Sequence, residues 1–215
     1  MQFFIDTANV TEIETAQAWG LIDGVTTNPS LIAKEKSTIE QIIPKITRIG
    51  KWPISVEVTE NDYEGMLRQG RTFLEFGDNI VIKLPMTPDG IRATRSFAEQ
   101  GVKVNVTLVF SALQGLIAAK AGATYASPFV GRLDDIAHDG MALIDDLTTI
   151  YHNYDLPTQV LVASVRHPVH VVEAARMGAD VATIPFDVLK KFFHHPLTDA
   201  GVERFLKDSK NITQR

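Results

Sequence analysis

A chain of 215 residues gives room for one ordinary domain, and 45% hydrophobic with 22% charged residues is the make-up of a soluble globular protein. A formal net charge of −5 argues against a nucleic-acid protein, whose footprint is basic, while leaving room for a local anion pocket. The absence of cysteine excludes disulfides, thiolate nucleophiles and Cys-based metal sites, and fits a cytoplasmic protein.

The opening MQFFIDTANV lacks a basic n-region and an acidic residue cuts its apolar run, so no signal peptide is expected. No apolar run approaches the ~18 residues of a membrane helix. Short β-branched runs predict strands at 2–5, 23–27, 54–58 and 79–84, then at 102–107, 123–127, 158–163 and 180–184. Helical periodicity fills the intervals at 10–18, 37–49, 62–76, 88–100, 110–121, 135–153, 167–177 and 186–193, with a further helix at about 198–209. Thr11, Asn61 and Ser111 stand where N-caps are expected, and Glu64 three residues after Asn61 suggests a capping box. Gly101, Gly122 and Gly178 stand where left-handed helix ends suit glycine.

Strands alternating with helices predict parallel strands and right-handed crossovers. Eight strand–helix units favour a single-domain (β/α)8 TIM barrel over residues 1–215, with an extra C-terminal helix, against an open doubly wound sheet. No G-x-G-x-x-G turn follows any strand, which weakens the open-sheet alternative.

A barrel places its active site at the C-terminal strand ends. In order, those ends carry Asp6; Thr26 and Asn28; Glu57; Lys83; Asn105 and Thr107; Ser127, Phe129 and Arg132; and Ser164 with Arg166. Alternation along a strand turns Thr26 with Asn28, and Asn105 with Thr107, the same way. Lys83 closes the apolar run IVIKL; a neutral amine there can add to a carbonyl and form a Schiff base, an electron sink. Two carboxylates, Asp6 and Glu57, supply proton transfer beside it. Each residue alone has a plainer reading: a lysine salt-bridged to Glu57, a turn at Asp6, an N-cap at Asn28. Polar ends on seven consecutive strands are harder to obtain from folding alone. Arg132, Ser164 and Arg166 suit a phosphate, although Asp134 or Asp135 could equally occupy Arg132, and a helix face Arg166.

FIDTAN, GVTTNPSLI, IVIKLPMTPDG, NVTLVFS, AGATYASPFVGRLDD and ASVRHP closely resemble the transaldolase family, from about residue 2 to residue 208, and the length resembles its small-subunit branch, which includes the fructose-6-phosphate aldolases. The resemblance implies a (β/α)8 barrel and a reversible transfer of a dihydroxyacetone unit. Sedoheptulose 7-phosphate and glyceraldehyde 3-phosphate would give erythrose 4-phosphate and fructose 6-phosphate, in the non-oxidative pentose phosphate pathway. It implies Lys83 as the Schiff-base lysine, Asp6 as acid/base at the C4 hydroxyl, and Glu57 acting through water on the carbinolamine. By the same resemblance Asn28, Asn105 and Ser127 bind the dihydroxyacetone part, Thr107 helps place the water, and Arg132, Ser164 and Arg166 hold phosphate. Thr26 and Phe129 complete the substrate-binding set. No metal or organic cofactor is implied, nor a nucleic-acid or membrane partner; a homo-oligomer is, as a decamer of two pentameric rings. The aldolase branch places glutamine at the position of Glu57 and tyrosine at that of Phe129, so transfer is favoured over free aldol cleavage. A carboxylate can accept and return a proton where an amide cannot. An aldolase, or a non-catalytic sugar-phosphate-binding barrel, are the alternatives.

The six histidines fall on helices or near their ends and none is assigned to catalysis. His167 and His170 are spaced i, i+3 with no acidic partner evident, HHP at 194–196 reads as a turn, and LDDIAHDG reads as a loop running into a first helical turn. The last helix, with Phe205 and Leu206, packs either on its own barrel or on a neighbouring subunit, and a polar tail follows.

Overall fold

The computed structural model describes residues 1–212. Its first half runs β1 (Gln2–Asp6), α1 (Val10–Ala18), β2 (Gly24–Thr26), α2 (Pro29–Lys34), α3 (Ile39–Ile49), β3 (Ile54–Glu57), α4 (Tyr63–Leu74), β4 (Ile80–Pro85) and α5 (Pro88–Glu99). Next come β5 (Val104–Val109), α6 (Ala112–Lys120), β6 (Tyr125–Pro128), α7 (Val130–Asp134) and α8 (Gly140–Asn153). The chain continues through β7 (Gln159–Val162), α9 (Pro168–Arg176), β8 (Val181–Ile184), α10 (Phe186–Lys190), a 3-10 turn (Lys191–Phe193) and α11 (Pro196–Ile212). All eight strands are parallel and β8 closes on β1, the expected (β/α)8 barrel.

Two apolar cores follow from the period-2 alternation of the strands. Outward residues such as Ile5, Val25, Ile54, Ile82, Val106 and Val160 pack beneath the helices in one continuous cluster. Inward residues Phe4, Val81, Tyr125, Leu161 and Val181 fill the barrel interior, with the Phe4 and Tyr125 rings edge to face at 5.7 Å. Gly24 is the register partner of Phe4, and a Cβ there would lie 2.5 Å from the Phe4 ring; glycine lets that ring plug the barrel. Two residues further along the same strands the inward set becomes Asp6, Lys83, Ser127 and Thr183. The floor of the site is thus the roof of the inner core.

The local expectations were met unevenly. Ser111 caps α6, and Gly101, Gly122 and Gly178 all take positive φ at helix ends. Asn9 caps α1 in place of Thr11, accepting from the Glu12 N–H, and Asp62 caps α4 in place of Asn61, accepting from the Gly65 N–H at 2.9 Å. The expected Asn61–Glu64 box is therefore replaced by a one-residue shift in register. The helix expected at 135–153 begins at Gly140, because Asp139 accepts the N–H groups of Met141 and Ala142. The short helices α2 and α7 stand in segments to which no helix was assigned, although Asn28 was read as a possible N-cap. The last helix extends the expected 198–209 to 196–212, and most of the expected polar tail lies outside the described residues.

Candidate active site

Glu57 and Lys83 are register partners on β3 and β4, so their side chains emerge side by side on the inner face. Lys83 Nζ lies 2.9 Å from Glu57 Oε2 and donates to the Thr27 carbonyl at 3.1 Å. The lysine is 5% exposed, gripped between Ile82 and Leu84, which turn outward into the main core. The plain ion-pair reading of Lys83 and the catalytic one therefore coincide in geometry: the carboxylate that holds the ammonium is also placed to take its proton.

Asp6 is held by a relay of hydroxyls. Thr183 and Thr26 share a 2.6 Å hydrogen bond, and the Thr26 hydroxyl donates to Asp6 Oδ1 at 2.8 Å. Burial pushes the Asp6 carboxyl above the usual carboxylate range; the Lys83 charge and the Thr26 bond pull the other way, and Glu57 adds to the rise. Asp6 thus holds a proton more readily than an ordinary aspartate, which suits a group that must both accept and return one.

Asn105 is the register partner of Lys83 on β5 and is fully buried. Its amide donates to Ser55 Oγ at 3.2 Å and its Oδ1 accepts from the Ser127 hydroxyl at 2.7 Å. Asn28 caps α2 through its Oδ1, which accepts the Leu31 N–H at 2.9 Å, so what it offers a ligand is its amide NH2. The plain reading as an N-cap holds, and the residue also lines the cavity. The Thr107 hydroxyl is buried with no hydrogen-bond partner among the described residues, and Thr107 does not line the cavity. Around it, β5 shifts register between Val106 and Val109, and the next residue, Leu108, takes φ +63°. A leucine in the left-handed region is a true outlier.

These side chains open into a cavity of about 330 Å³, lined also by Thr26, Phe129, Arg132, Ser164 and Arg166. Of the expected residues, ten line it; Glu57 reaches it through Lys83, and Thr107 stands behind. A larger depression of about 930 Å³ lies at the opposite end of the barrel, around Arg48, Lys51 and Asp78, away from this polar cluster.

The Arg end has its own architecture. Arg132 lies 4.8 Å over the Phe129 ring, and Phe129 packs edge-on against Phe110. Asp135 is taken by Arg166, at 2.7 Å, and Asp134 by His170, so neither acid occupies Arg132. Ser164, at φ +60°, turns the chain out of β7, and its carbonyl accepts the Gly131 N–H at 3.2 Å. A Cβ on Gly131 would meet that carbonyl oxygen at 2.2 Å and Arg166 Cγ at 2.7 Å; this glycine admits Arg166 against α7.

Three contributors escaped the sequence reading. Ser30 and Lys34 line the cavity from α2, and Lys34 acts electrostatically on Asp6. A helix of six residues carries too little periodicity to be seen, so its inward residues went unassigned. His170, expected to lack an acidic partner, has one in Asp134 at 2.9 Å, reached across 36 residues of chain. No metal-ligating cluster forms around it among the described residues.

The description Transaldolase/Fructose-6-phosphate aldolase matches residues 3–215. A protein named "Probable transaldolase" from Anaeromyxobacter sp. (strain K) is 60% identical over 99% of this chain and 98% of its own length. One of the same name from Kosmotoga olearia is 56% identical over 97% of this chain and 95% of its own, and one from Aquifex aeolicus is 52% identical over 100% and 99%. With a closed barrel whose mouth gathers a buried lysine, two carboxylates and two arginines, the chain belongs to the transaldolase/fructose-6-phosphate aldolase family of enzymes.

Proposed function

We propose that the protein is a transaldolase working through a Schiff base on Lys83. The observation that carries this is the buried Lys83–Glu57 pair with Asp6 lining the same cavity. Glu57 takes a proton from the Lys83 ammonium, and the freed amine adds to the C2 carbonyl of fructose 6-phosphate. The carbinolamine loses water, with Glu57 moving the protons through a water molecule, and the iminium becomes an electron sink. Asp6 accepts the C4 hydroxyl proton as the C3–C4 bond breaks. Glyceraldehyde 3-phosphate leaves, and a three-carbon enamine stays on Lys83. The enamine carbon then attacks the aldehyde of erythrose 4-phosphate, Asp6 returns its proton to the new hydroxyl, and hydrolysis releases sedoheptulose 7-phosphate. The reaction runs equally in reverse and belongs to the non-oxidative pentose phosphate pathway.

Asn28, Asn105 and Ser127 are proposed to hold the dihydroxyacetone hydroxyls, Thr26 to orient Asp6, and Phe129 to wall the cavity. The buried Thr107 hydroxyl, costly to leave unpaired, is proposed to bind the transferred water. Arg132, Ser164 and Arg166 form the phosphate end. Arg166 must exchange Asp135 for the phosphate, a minor obstacle because that pair is more than half exposed. No step as written calls on a metal or organic cofactor.

Borohydride reduction in the presence of fructose 6-phosphate should leave a stable adduct on Lys83; no adduct, or one on another lysine, overturns the mechanism. Free dihydroxyacetone turned over faster than the phosphate exchange would reassign the protein as an aldolase. Residues 1–215 are proposed to form one domain in the cytoplasm; among the described residues no helix is long and apolar enough to cross a membrane. A decamer of two pentameric rings is proposed on the family resemblance. Leu197, Val202, Phe205 and Leu206 on α11 are all more than half exposed, which leaves that helix unpartnered within one chain. A monomeric mass by sedimentation would refute the assembly.

A further inference from the structure

We infer that His170 is a positioning residue for the phosphate end of the cavity, bracing the Arg166 backbone against the short helix that carries Arg132. The inference rests on the phosphate-site reading above. The Arg166 N–H donates to His170 Nδ1 at 3.2 Å, and His170 Nε2 lies 2.9 Å from Asp134 Oδ2. Asp134 Oδ1 in turn accepts the Gly140 N–H at 3.0 Å. One ring on α9 therefore joins the turn after β7, the end of α7 and the start of α8. These are the three segments that frame the two arginines. Asp135, the next residue after Asp134, pairs with the Arg166 guanidinium, so one acid meets the head of that arginine while its neighbour meets the ring that holds its backbone.

The bonds fix the chemistry of the ring. Nδ1 must accept, so Nε2 carries the proton and donates to Asp134: a neutral imidazole in one tautomer. A second proton would go on Nδ1 and set two N–H donors face to face. The ring is 3% exposed, and burial together with the His167 ring, tilted by 38° with centroids 3.8 Å apart, pushes its pKa below the ordinary histidine value. Asp134 from α7 and Glu173 on the same helix oppose that shift, and Arg166 is the remaining charge beside it; α8 adds none to this set among the described residues. Because the folded value is depressed, the brace is complete above pH about 6.5 and is lost as pH falls through the folded value.

The two amide replacements separate the two bonds. His170→Asn keeps an acceptor near the place of Nδ1 for the Arg166 N–H, whereas His170→Gln reaches Asp134 and offers no acceptor there. His170→Ala and His170→Gln should raise KM for fructose 6-phosphate about tenfold with kcat within about twofold, and His170→Asn should recover most of that loss. As pH falls below about 6.5 and through the folded value, KM should climb more steeply in the wild type than in His170→Asn; the substrate phosphate titrates identically in both. Arg166→Ala is the parallel arm. If it raises KM while the His170 variants do not, the positioning role falls and the phosphate site stands. If it leaves KM unchanged, the phosphate-site reading falls and the inference with it. A loss of kcat at unchanged KM would make His170 a purely structural group and overturn the inference. Should His170→Ala not fold, coincident pH profiles of wild type and His170→Asn would overturn it equally.

Discussion

Glu57→Gln isolates the proton from the contact. The amide keeps the size of the carboxylate and an oxygen beside Lys83 Nζ, now 2.9 Å from Glu57 Oε2. It cannot take a proton. The stability cost is the difference between a hydrogen bond to a charged acceptor, ~1.5–3 kcal/mol, and one to a neutral acceptor, ~0.5–1.5 kcal/mol, so about 1 kcal/mol. Deleting the acceptor with Glu57→Ala leaves a buried ammonium without its partner carboxylate and costs more, about 3–5 kcal/mol if the lysine stays charged. The kinetic cost runs the other way. Positioned acid–base catalysis is worth ~10²–10⁴ in rate, about 3–5 kcal/mol of barrier, and Glu57→Gln forfeits it for imine formation. A single-turnover borohydride quench with fructose 6-phosphate should show trapping on Lys83 slowed by at least about a hundredfold. A melting curve should show the fold barely changed. Steady-state rates on the same preparation should shift toward free aldol cleavage relative to transfer. Trapping within about threefold of wild type would show that Glu57 only holds the lysine, and an unchanged ratio of the two activities would remove it as the discriminator between them.

Asp6→Asn should stabilise the protein at neutral pH while abolishing transfer. Burial raises the folded carboxyl's pKa, so its stability contribution is present below the unfolded value near 4 and lost as pH rises through the folded one. The Tm advantage of the variant should therefore be largest near pH 7 and vanish toward pH 4; an advantage that does not vary with pH contradicts the burial argument. Gly131→Ala drives a Cβ to within 2.2 Å of the Ser164 carbonyl oxygen, and should cost about 1–3 kcal/mol in denaturant melts and raise KM for phosphorylated substrates. A wild-type KM would show that the turn after β7 can shift freely. Lys34→Met should raise KM for erythrose 4-phosphate about threefold and flatten its salt dependence, since the lysine acts at the cavity mouth by charge; equal effects at about 0.05 and about 0.5 M salt would exclude that role.

The barrel was legible because its signal is repeated: each strand's apolar run recurs after each amphipathic helix, and an error in one unit leaves the count intact. The candidate catalytic residues were legible for the same reason, since Asp6, Glu57 and Lys83 stand where strands end. What escaped depends on single atoms or distant chain. Adjacent candidates such as Asn61 and Asp62 differ only in which side chain reaches the N–H three residues on. The Asp139 cap that delays α8 outweighs the periodicity that continues upstream of it. Lys34 rides on a helix too short to announce its faces. His170 acquires its role from Asp134, 36 residues away, and no local pattern encodes that meeting.

The two ends of the barrel divide the work of stability and chemistry. At the N-terminal end, polar residues close backbone groups. Asp23 accepts the Phe3 N–H, Asp180 the Val160 N–H and Thr124 the Val104 N–H, while Thr158 donates to the Ala123 carbonyl. Each ties one strand's entry to its neighbour. At the C-terminal end the same fold tolerates the opposite: a carboxylate disfavoured by burial, an ammonium sunk beside a carboxylate, a Thr107 hydroxyl without a partner among the described residues, and left-handed φ at Leu108 and Ser164. Residues held in such backbone regions cost of order 1–3 kcal/mol each. Left-handed φ is not confined to this rim, since Lys36, Ala137 and Asp155 take it in other turns, but the buried charged groups, Asp6 and Lys83 with Glu57, meet here. Asp6 and Lys83 line one small cavity with Glu57 behind the lysine, and that meeting of buried charges is the feature folding alone explains least. It also predicts the direction of trade-off, since relieving any one of them should stabilise the barrel and weaken the chemistry together.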